Sequence, residues 1–386
     1  MPIKILIINS LAYKNSLLAA IFKELEQKKF SFRLWSSKIT LINQFKQNHW
    51  PVKKLFLGPD LKNRPNVLFF ILTLLFLQFK FLISLIYLKI KRRVDIIICL
   101  NINEKIIITA PARLLGIKVV WLETPDLNYR QINKFLFWLY KINHRLVEII
   151  TFNNYAKLQL INLGCNENKI KIVPPGAKLN QYQENIFNRL ASVSQANFHR
   201  KYFTVGAIAS LDQKQKIEAI FQAIKTCLPV IPNLQLIIIG EGRERKNLTW
   251  LTKKMGIENL VWLIGEQEQL KKWLCGFDIF LAVGDYPKLD DYGNILEAMA
   301  AGLPVLGPRN IGLEDLIVEN KTGALIESDN SEMLARQILK LHQDKKLSAQ
   351  LGKNGQTRAN QLFTLEQMTN KLEQILKNQV KEIRLG

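Results

Sequence analysis

The sequence predicts an α/β protein of two Rossmann-like, doubly wound domains, and three observations carry that expectation. The chain has 386 residues, two to three times an ordinary domain. Its hydrophobic fraction of 48% is enough for a large core. Short runs rich in Ile and Val also alternate with helix-length amphipathic segments almost from end to end. That is the pattern of βαβ units whose parallel strands are buried on both faces.

In the first half, strands are expected at Ile3–Ile8, Val94–Cys99, Val119–Leu122, Ile149–Phe152 and Ile170–Val173, with helices at Asn15–Lys28 and Asn133–Leu146. Val173-Pro174-Pro175-Gly176 then breaks the pattern, because proline and glycine clustered after a strand mark a turn or linker. The expected domains are therefore 1–175 and 201–362, joined by a polar linker over 176–200. Strands of the second sheet are expected at Phe203–Ile208, Leu234–Gly240, Leu260–Ile264, Ile279–Val283 and Leu303–Leu306. Two closing helices follow at Asn330–Gln343 and Leu365–Val380, the last of them, within 363–386, crossing back toward the first domain.

The formal net charge is +22, which favours polyanionic partners. There is no zinc-finger spacing, RNP-like aromatic strand or arginine-rich arm, so nucleic acid is not the expected partner. A membrane surface with anionic lipids is. Cys99, Cys165, Cys227 and Cys275 are unpaired in spacing and read as buried thiols of a reducing compartment. His49, His144, His199 and His342 lie beside no recognisable site. The start, through Asn9-Ser10, lacks signal-peptide features, and residence on the cytoplasmic side is expected.

The segment Val67–Leu88 is long and apolar enough to span a bilayer. Its polar residues Thr73, Lys80 and Ser84, with Lys91 beyond, fall on one narrow helical stripe. A basic exit, Lys89-Ile90-Lys91-Arg92-Arg93, follows. Three readings stand: a helix docked on a membrane surface, which the stripe and rim favour, an internal core helix, or a transmembrane span.

The most informative stretch runs from Asp285 to Leu306. It reads as a strand end, an acidic loop, a helix begun by Gly293 and Asn294, and a Gly302-Leu303-Pro304 turn into the next strand. Ligands of open α/β sheets sit beyond the strand C-termini, where helix N-termini point donors at phosphate. Glu297, one turn into that helix, reads either as an acceptor for two vicinal sugar hydroxyls or as a favourable charge for the helix dipole.

Gly293-Asn294-Ile295-Leu296-Glu297-Ala298-Met299-Ala300-Ala301-Gly302-Leu303-Pro304-Val305 resembles the signature of the family 4 retaining glycosyltransferases. The resemblance continues through Ile311–Ile317, Asn320–Ile326, Asn233–Arg245, Val261–Gly265 and Asn168–Ala177, and covers roughly residues 165–380. It implies the GT-B fold, with two Rossmann-like domains facing each other across a cleft. It also implies transfer of a sugar from a nucleotide diphosphate sugar with retention of configuration. Glu297 would hold the nucleotide ribose, and the diphosphate would lie near residues 206–211 and the helix start at Gly293, Asn294 and Ile295. Gly240, Glu241 and Gly242 would line the donor side, or form a plain strand-to-helix turn. No metal or other cofactor is implied, since positive side chains and helix dipoles stabilise the leaving diphosphate.

Departures from the family pattern matter. The acid expected eight residues before Glu297 falls on Leu289, which leaves Asp290 for that role unless it is a solvated charge. The family's phosphate-binding arginine is replaced by Ser210, and its lysine must be supplied by Lys214 or Lys216, each otherwise a surface charge. The glycine-rich acceptor loop is missing, leaving Ser10 on that side. The family histidine gives way near Leu122–Asp126, where Glu123 or Asp126 would face the cleft, with Glu123 on the acceptor side, unless Asp126 is a turn residue. The expected function is glycosyl transfer to a lipid-linked or polysaccharide acceptor at the cytoplasmic membrane face. The alternative is a catalytically inactive GT-B scaffold that partners an active transferase.

Overall fold

The computed structural model describes residues 2–10, 16–59, 61, 64–91, 93–123, 133–182, 202–267, 269–284, 289–309, 312–327 and 329–385. The chain divides into two compact units, one of Met1–Pro174 with Glu366–Gly386 and one of Pro175–Leu365.

The first unit is built on seven parallel strands: β1 (Ile3–Asn9), β2 (Phe30–Ser36), β3 (Val52–Lys54), β4 (Ile96–Cys99), β5 (Lys118–Glu123), β6 (Glu148–Thr151) and β7 (Ile170–Ile172). They lie in the order β3-β2-β1-β4-β5-β6-β7, so the winding reverses between β1 and β4. Side chains alternate across the sheet. Ile97, Cys99, Val119, Trp121 and Ile149 join the core under α3 (Arg64–Ile90), α4 (Ile102–Leu114) and α5 (Lys134–Asn143). Ile98, Val120, Leu122 and Ile150 face the other way, toward Leu18 and Phe22 of α1 (Ser16–Gln27) and Met368 and Leu372 of the last helix. Helices α2 (Ile39–Gln47) and α6 (Asn154–Asn162) complete this part.

Helix α3 is two-faced. Phe70, Leu74, Leu77, Phe81, Leu85 and Leu88 are buried at helical spacing. Leu72 and Leu75 are 75% and 78% exposed, and Leu68, Phe69, Phe76, Phe79, Ile83, Ile86 and Ile90 are exposed with them. An internal core helix is therefore not what this chain has. The polar stripe is also weaker than its composition implies. The Thr73 hydroxyl donates to the Phe69 carbonyl at 2.8 Å and that of Ser84 to the Lys80 carbonyl at 3.1 Å, so both are satisfied within the helix.

The second unit carries six parallel strands: β8 (Phe203–Ile208), β9 (Leu234–Ile239), β10 (Val261–Leu263), β11 (Ile279–Leu281), β12 (Val305–Pro308) and β13 (Gly323–Ile326). Their order is β10-β9-β8-β11-β12-β13, with reversal between β8 and β11. Its helices are α7 (Lys214–Cys227), α8 (Arg245–Met255), α9 (Leu270–Leu274), α10 (Leu289–Ala300), α11 (Ser331–Gln343) and α12 (Lys345–Leu362), and the last helix, α13 (Leu365–Leu385), belongs from Glu366 onward to the first unit. Three helices close the chain where two were expected. The expected linker starts as core, since Ala177, Leu179 and Tyr182 are buried in the second unit. The rest of it, 183–200, lies outside the described residues.

Candidate functional site

Both winding reversals place loops at the carboxyl ends of neighbouring strands, where open α/β sheets bind ligands. In the second unit those loops follow β8 and β11. A small cavity, with room for about one water, opens there, lined by Ile208, Val283 and Gly284 on the strand side and Asp291, Asn294 and Ile295 on α10.

Helix α10 starts earlier than expected. It begins at Leu289, because Leu289, Tyr292, Leu296 and Met299 are all buried and continue one helical face without a break. Gly293 and Asn294 therefore lie inside the helix, where amides bond to carbonyls four residues back, and they do not begin it. The orphan donors of the first turn belong to residues nearer Leu289. Asp290 and Asp291 sit in that turn and complement the dipole. Asp285 lies outside the described residues.

The early start also settles one alternative for Glu297. It is the ninth residue of α10, about 12 Å along the axis from the helix start, too far for a first-turn dipole contact. The Tyr182 hydroxyl donates to Glu297 Oε2 at 2.7 Å. Burial raises the Glu297 carboxyl above its ordinary value, and the bond from Tyr182 opposes that rise. Burial and the Glu297 charge push the Tyr182 phenol up, so it stays a donor. Tyr182, 115 positions away in sequence, carries no motif that identifies it.

The loops after β8 and β9 lock together. Leu211 donates its amide to the Glu241 carbonyl at 3.0 Å, and Arg243 donates its amide to Asp212 Oδ1 at 2.8 Å. The Arg243 hydrogen bond holds the Asp212 carboxyl below its usual range. Gly240 has φ +146°, and a Cβ there would lie 2.0 Å from the Ala209 carbonyl oxygen. A Cβ on Gly242 would meet the Asp212 amide at 2.5 Å. Glycine is thus required at 240 and 242 for one loop to pass over the other. Ser210 accepts from the Asp212 amide at 3.3 Å. Glu241 receives Arg245 Nη1 at 2.5 Å.

The two candidate lysines are not in the α10 cavity. Lys214 lies 3.6 Å from Glu218, and Lys216 lies 2.6 Å from Asp329. Lys216 lines a second cavity, which shares only Ala282, Val283 and Gly284 with the first. The loop after β11 therefore separates Lys216 from Asn294 and Ile295.

In the first unit, Ser10 follows β1 at the reversal. Its hydroxyl donates to Glu104 Oε2 at 2.7 Å, and Asn101 Nδ2 donates to the Ser10 hydroxyl at 3.0 Å. Asn101 caps α4, with Glu104 closing the capping box through the Asn101 amide at 2.6 Å. Burial raises the Glu104 carboxyl to about 7 against the pull of these bonds. Glu123 does not face an acceptor. It is 1% exposed, accepts from the Tyr140 hydroxyl at 2.8 Å and pairs with buried Lys105 at 2.8 Å. A buried cation needs such a partner, so this carboxylate serves the interior. Asp126 lies outside the described residues. Among the described residues, no group of three or more His, Cys, Asp or Glu is arranged to hold a metal ion.

Residues 190–358 match the family model described as Glycosyl transferases group 1. N-acetyl-alpha-D-glucosaminyl L-malate synthase of Bacillus anthracis is 24% identical over 180 residues, 46% of this chain and 46% of that protein. The capsular polysaccharide biosynthesis glycosyltransferase CapM of Staphylococcus aureus is 24% identical over 246 residues, 61% of this chain and 62% of its own. The chain spans about half the length of the curated relatives it matches. Among solved structures, Anabaena HepE in complex with UDP aligns with a TM-score of 0.77 at 18% identity, over 97% of this chain and 100% of that one. Sucrose-phosphate synthase of Thermosynechococcus elongatus aligns at 0.74 and 17%, over 97% and 98%. The chain has the GT-B fold, and the family match supports a glycosyltransferase.

Proposed function

We propose that this chain transfers a sugar from a nucleotide diphosphate sugar to a lipid-linked or polysaccharide acceptor, with retention of configuration, at the cytoplasmic face of a membrane. One observation carries the reading. Inside the stretch that matches the family, Glu297 projects from α10 with its carboxylate oriented by Tyr182, in the same helix that lines the cavity at the β8–β11 reversal. HepE is crystallised with UDP and with UDP-glucose, and CapM takes its name from capsular polysaccharide biosynthesis; both support the choice of donor and acceptor class.

Glu297 accepts hydrogen bonds from the ribose hydroxyls. Asn294, Ile295 and the loops at Ser210 and Gly240–Gly242 enclose the nucleotide diphosphate. Asp290 addresses the sugar, and Lys214 and Lys216 supply positive charge toward the leaving diphosphate only by leaving Glu218 and Asp329, with which they are paired here. Ser10, held by Glu104 and Asn101, lies on the acceptor side. The exposed apolar face of α3 and the basic residues after it hold the protein peripherally on anionic lipid.

The inactive-scaffold reading has one observation in its favour: Ser210 stands where the family has arginine, and both lysines are engaged by Glu218 and Asp329. A thermal-shift panel of nucleotide diphosphates separates the two, since ligand at 100 times its dissociation constant adds about 2.7 kcal/mol. It is joined by release of free nucleotide diphosphate from a panel of donor sugars, with membrane extract as acceptor. Binding and turnover support the enzyme; neither binding nor turnover leaves the scaffold.

A further inference from the structure

At its C-terminal half, the apolar face of α3 adjoins a cavity of about 440 Å³ bounded by α3 and the edge of the first sheet. Arg33 and Trp35 enter it from β2, Lys53 from β3, Tyr87 from α3 and Arg93 from the segment after α3. The strand register produces this convergence. Trp35 pairs with Lys53 across β2 and β3. Alternation along β2 puts Arg33 on the same face as Trp35, whose ring meets Phe81 of α3 at a centroid distance of 6.0 Å.

Two of the three cations lie over rings. Lys53 Nζ is 5.7 Å from the Trp35 centroid, and the Arg93 guanidinium is 6.0 Å from that of Tyr87. Among the described residues, no carboxylate lines the cavity. Among the described residues, Arg33, Lys53 and Arg93 have no ion-pair partner. This contrasts with cations elsewhere in the same unit, such as Lys105, Lys157 and Lys169, each of which meets a glutamate. Three uncompensated positive charges around a concave space favour an anion with several acceptor oxygens, which guanidinium groups bind through paired N–H donors.

The rim says which anion. Ile83 and Tyr87 line the cavity and also belong to the exposed apolar face of α3, with Ile86 and Ile90 beside them. A ligand seated there has its charge among cations and its neighbours against apolar side chains. A tyrosine at that boundary is the side chain favoured where hydrocarbon meets headgroups. We propose that this cavity seats the phosphate headgroup of an anionic membrane phospholipid whose acyl chains run along the outer face of α3. The proposal rests on the reading of α3 as a membrane-docking helix, and it adds a defined lipid site to that surface.

The test compares Lys53→Gln/Arg93→Gln, both exposed positions, with Lys23→Gln/Lys46→Gln. The latter removes the same charge from exposed sites on α1 and α2, where Phe22 and Phe45 pack on the opposite face of the sheet. Binding is measured by flotation with vesicles of phosphatidylcholine alone and with phosphatidylglycerol added. The cavity variant should bind the anionic vesicles about thirtyfold more weakly, at about 1 kcal/mol for each basic group at such a surface. The control should lose much less, and binding to phosphatidylcholine should be equal in all three proteins. Equal losses in both variants, or parental binding by the cavity variant, would overturn the lipid site while leaving α3 docking intact. No vesicle binding by the parent would overturn α3 docking and the lipid site together. Stabilisation of that parent by glycerol 1-phosphate, lost in the cavity variant, would then assign the cavity to a soluble phosphate ester.

Discussion

Replacing Glu297 with Gln isolates the charge on which the proposed donor site depends. The amide keeps an oxygen to accept the Tyr182 hydroxyl, now bonded at 2.7 Å, so α10 and its surroundings should fold as in the parent. What is lost is charge-assisted bonding to ribose, about 1.5–3 kcal/mol, or roughly 10- to 150-fold in affinity. Glu297→Ala goes further and leaves the hydroxyl of Tyr182, a residue 1% exposed, without its acceptor. That should lower stability by about 1–3 kcal/mol. The two variants should therefore lose nucleotide affinity together and separate in melting temperature. The pH dependence adds a second signature. Burial holds the Glu297 carboxyl above its ordinary value, so its charged form is lost at a higher pH than for a solvated glutamate. Nucleotide affinity should fall as pH drops through that raised value, and Glu297→Gln should remove the fall. Titration calorimetry with a panel of nucleoside diphosphates reads the affinities and their pH dependence, and thermal unfolding reads the difference in stability. Parental affinity in Glu297→Gln for the nucleotide that binds best would refute the placement of the ribose.

Glu104 is raised from 4.5 to about 7 by burial, so its contribution to stability is complete below about pH 4.5 and is lost as pH rises to about 7, by about 3 kcal/mol; urea unfolding at pH 5 and pH 8 should show the decline, and Glu104→Gln should flatten it. Gly240→Ala puts a Cβ 2.0 Å from the Ala209 carbonyl oxygen at φ +146° and should cost about 3 kcal/mol or more, read as a lower urea midpoint. Lys214→Ala/Lys216→Ala and, separately, Asp290→Asn should each cut nucleotide diphosphate release about tenfold or more with folding intact; parental turnover in the first would remove the lysines from the leaving-group site, and in the second would remove Asp290 from the sugar. Leu72→Asp/Leu75→Asp alters side chains that are already exposed, so it should leave the stability read by urea unfolding within about 1 kcal/mol of the parent's while abolishing vesicle flotation.

Most of the fold was legible because buried parallel strands announce themselves as apolar runs. Phe203–Ile208 falls on the expected residues, and β1, β5, β6 and β9 differ from expectation by a residue or so at their ends. The strands that escaped lie toward sheet edges. Phe30–Ser36 mixes Ser31 and Arg33 into its run because one of its faces meets the cavity beside α3, and Val52–Lys54 is three residues of an edge strand. Gly323–Ile326 is a four-residue strand at the opposite end of the second sheet. Helix α12 escaped because it is polar along most of its length. It presents Leu351, Gly352, Gly355 and Ala359 inward, and Gly352 has its ideal Cβ position 2.1 Å from the Gly302 carbonyl oxygen. Close backbone packing of that kind leaves no hydrophobic stripe to read.

The site divides along the same physical line. What a local pattern encodes was readable: Asn294, Ile295 and Glu297 on one helix, and the glycines at 240 and 242, whose reason turns out to be the crossing of the β8 loop. What depends on pairing across the fold was not. Nothing in the spacing of Lys214 and Lys216 tells that their charges meet Glu218 and Asp329. The apolar text around Glu123 likewise does not tell that Lys105 and Tyr140 claim it inside the core. Ser10 shows the same limit from the other side: its hydroxyl is defined by Glu104, 94 residues later, and Glu104 in turn caps α4. A carboxylate can stay buried at such a position because three donors from Ser10 and Asn101 surround it. The pair Tyr182–Glu297 follows this rule in the second unit. In both units a wholly or partly buried acid is fixed by a hydroxyl from a distant segment. Its orientation is therefore a property of the folded unit that no motif in either segment carries.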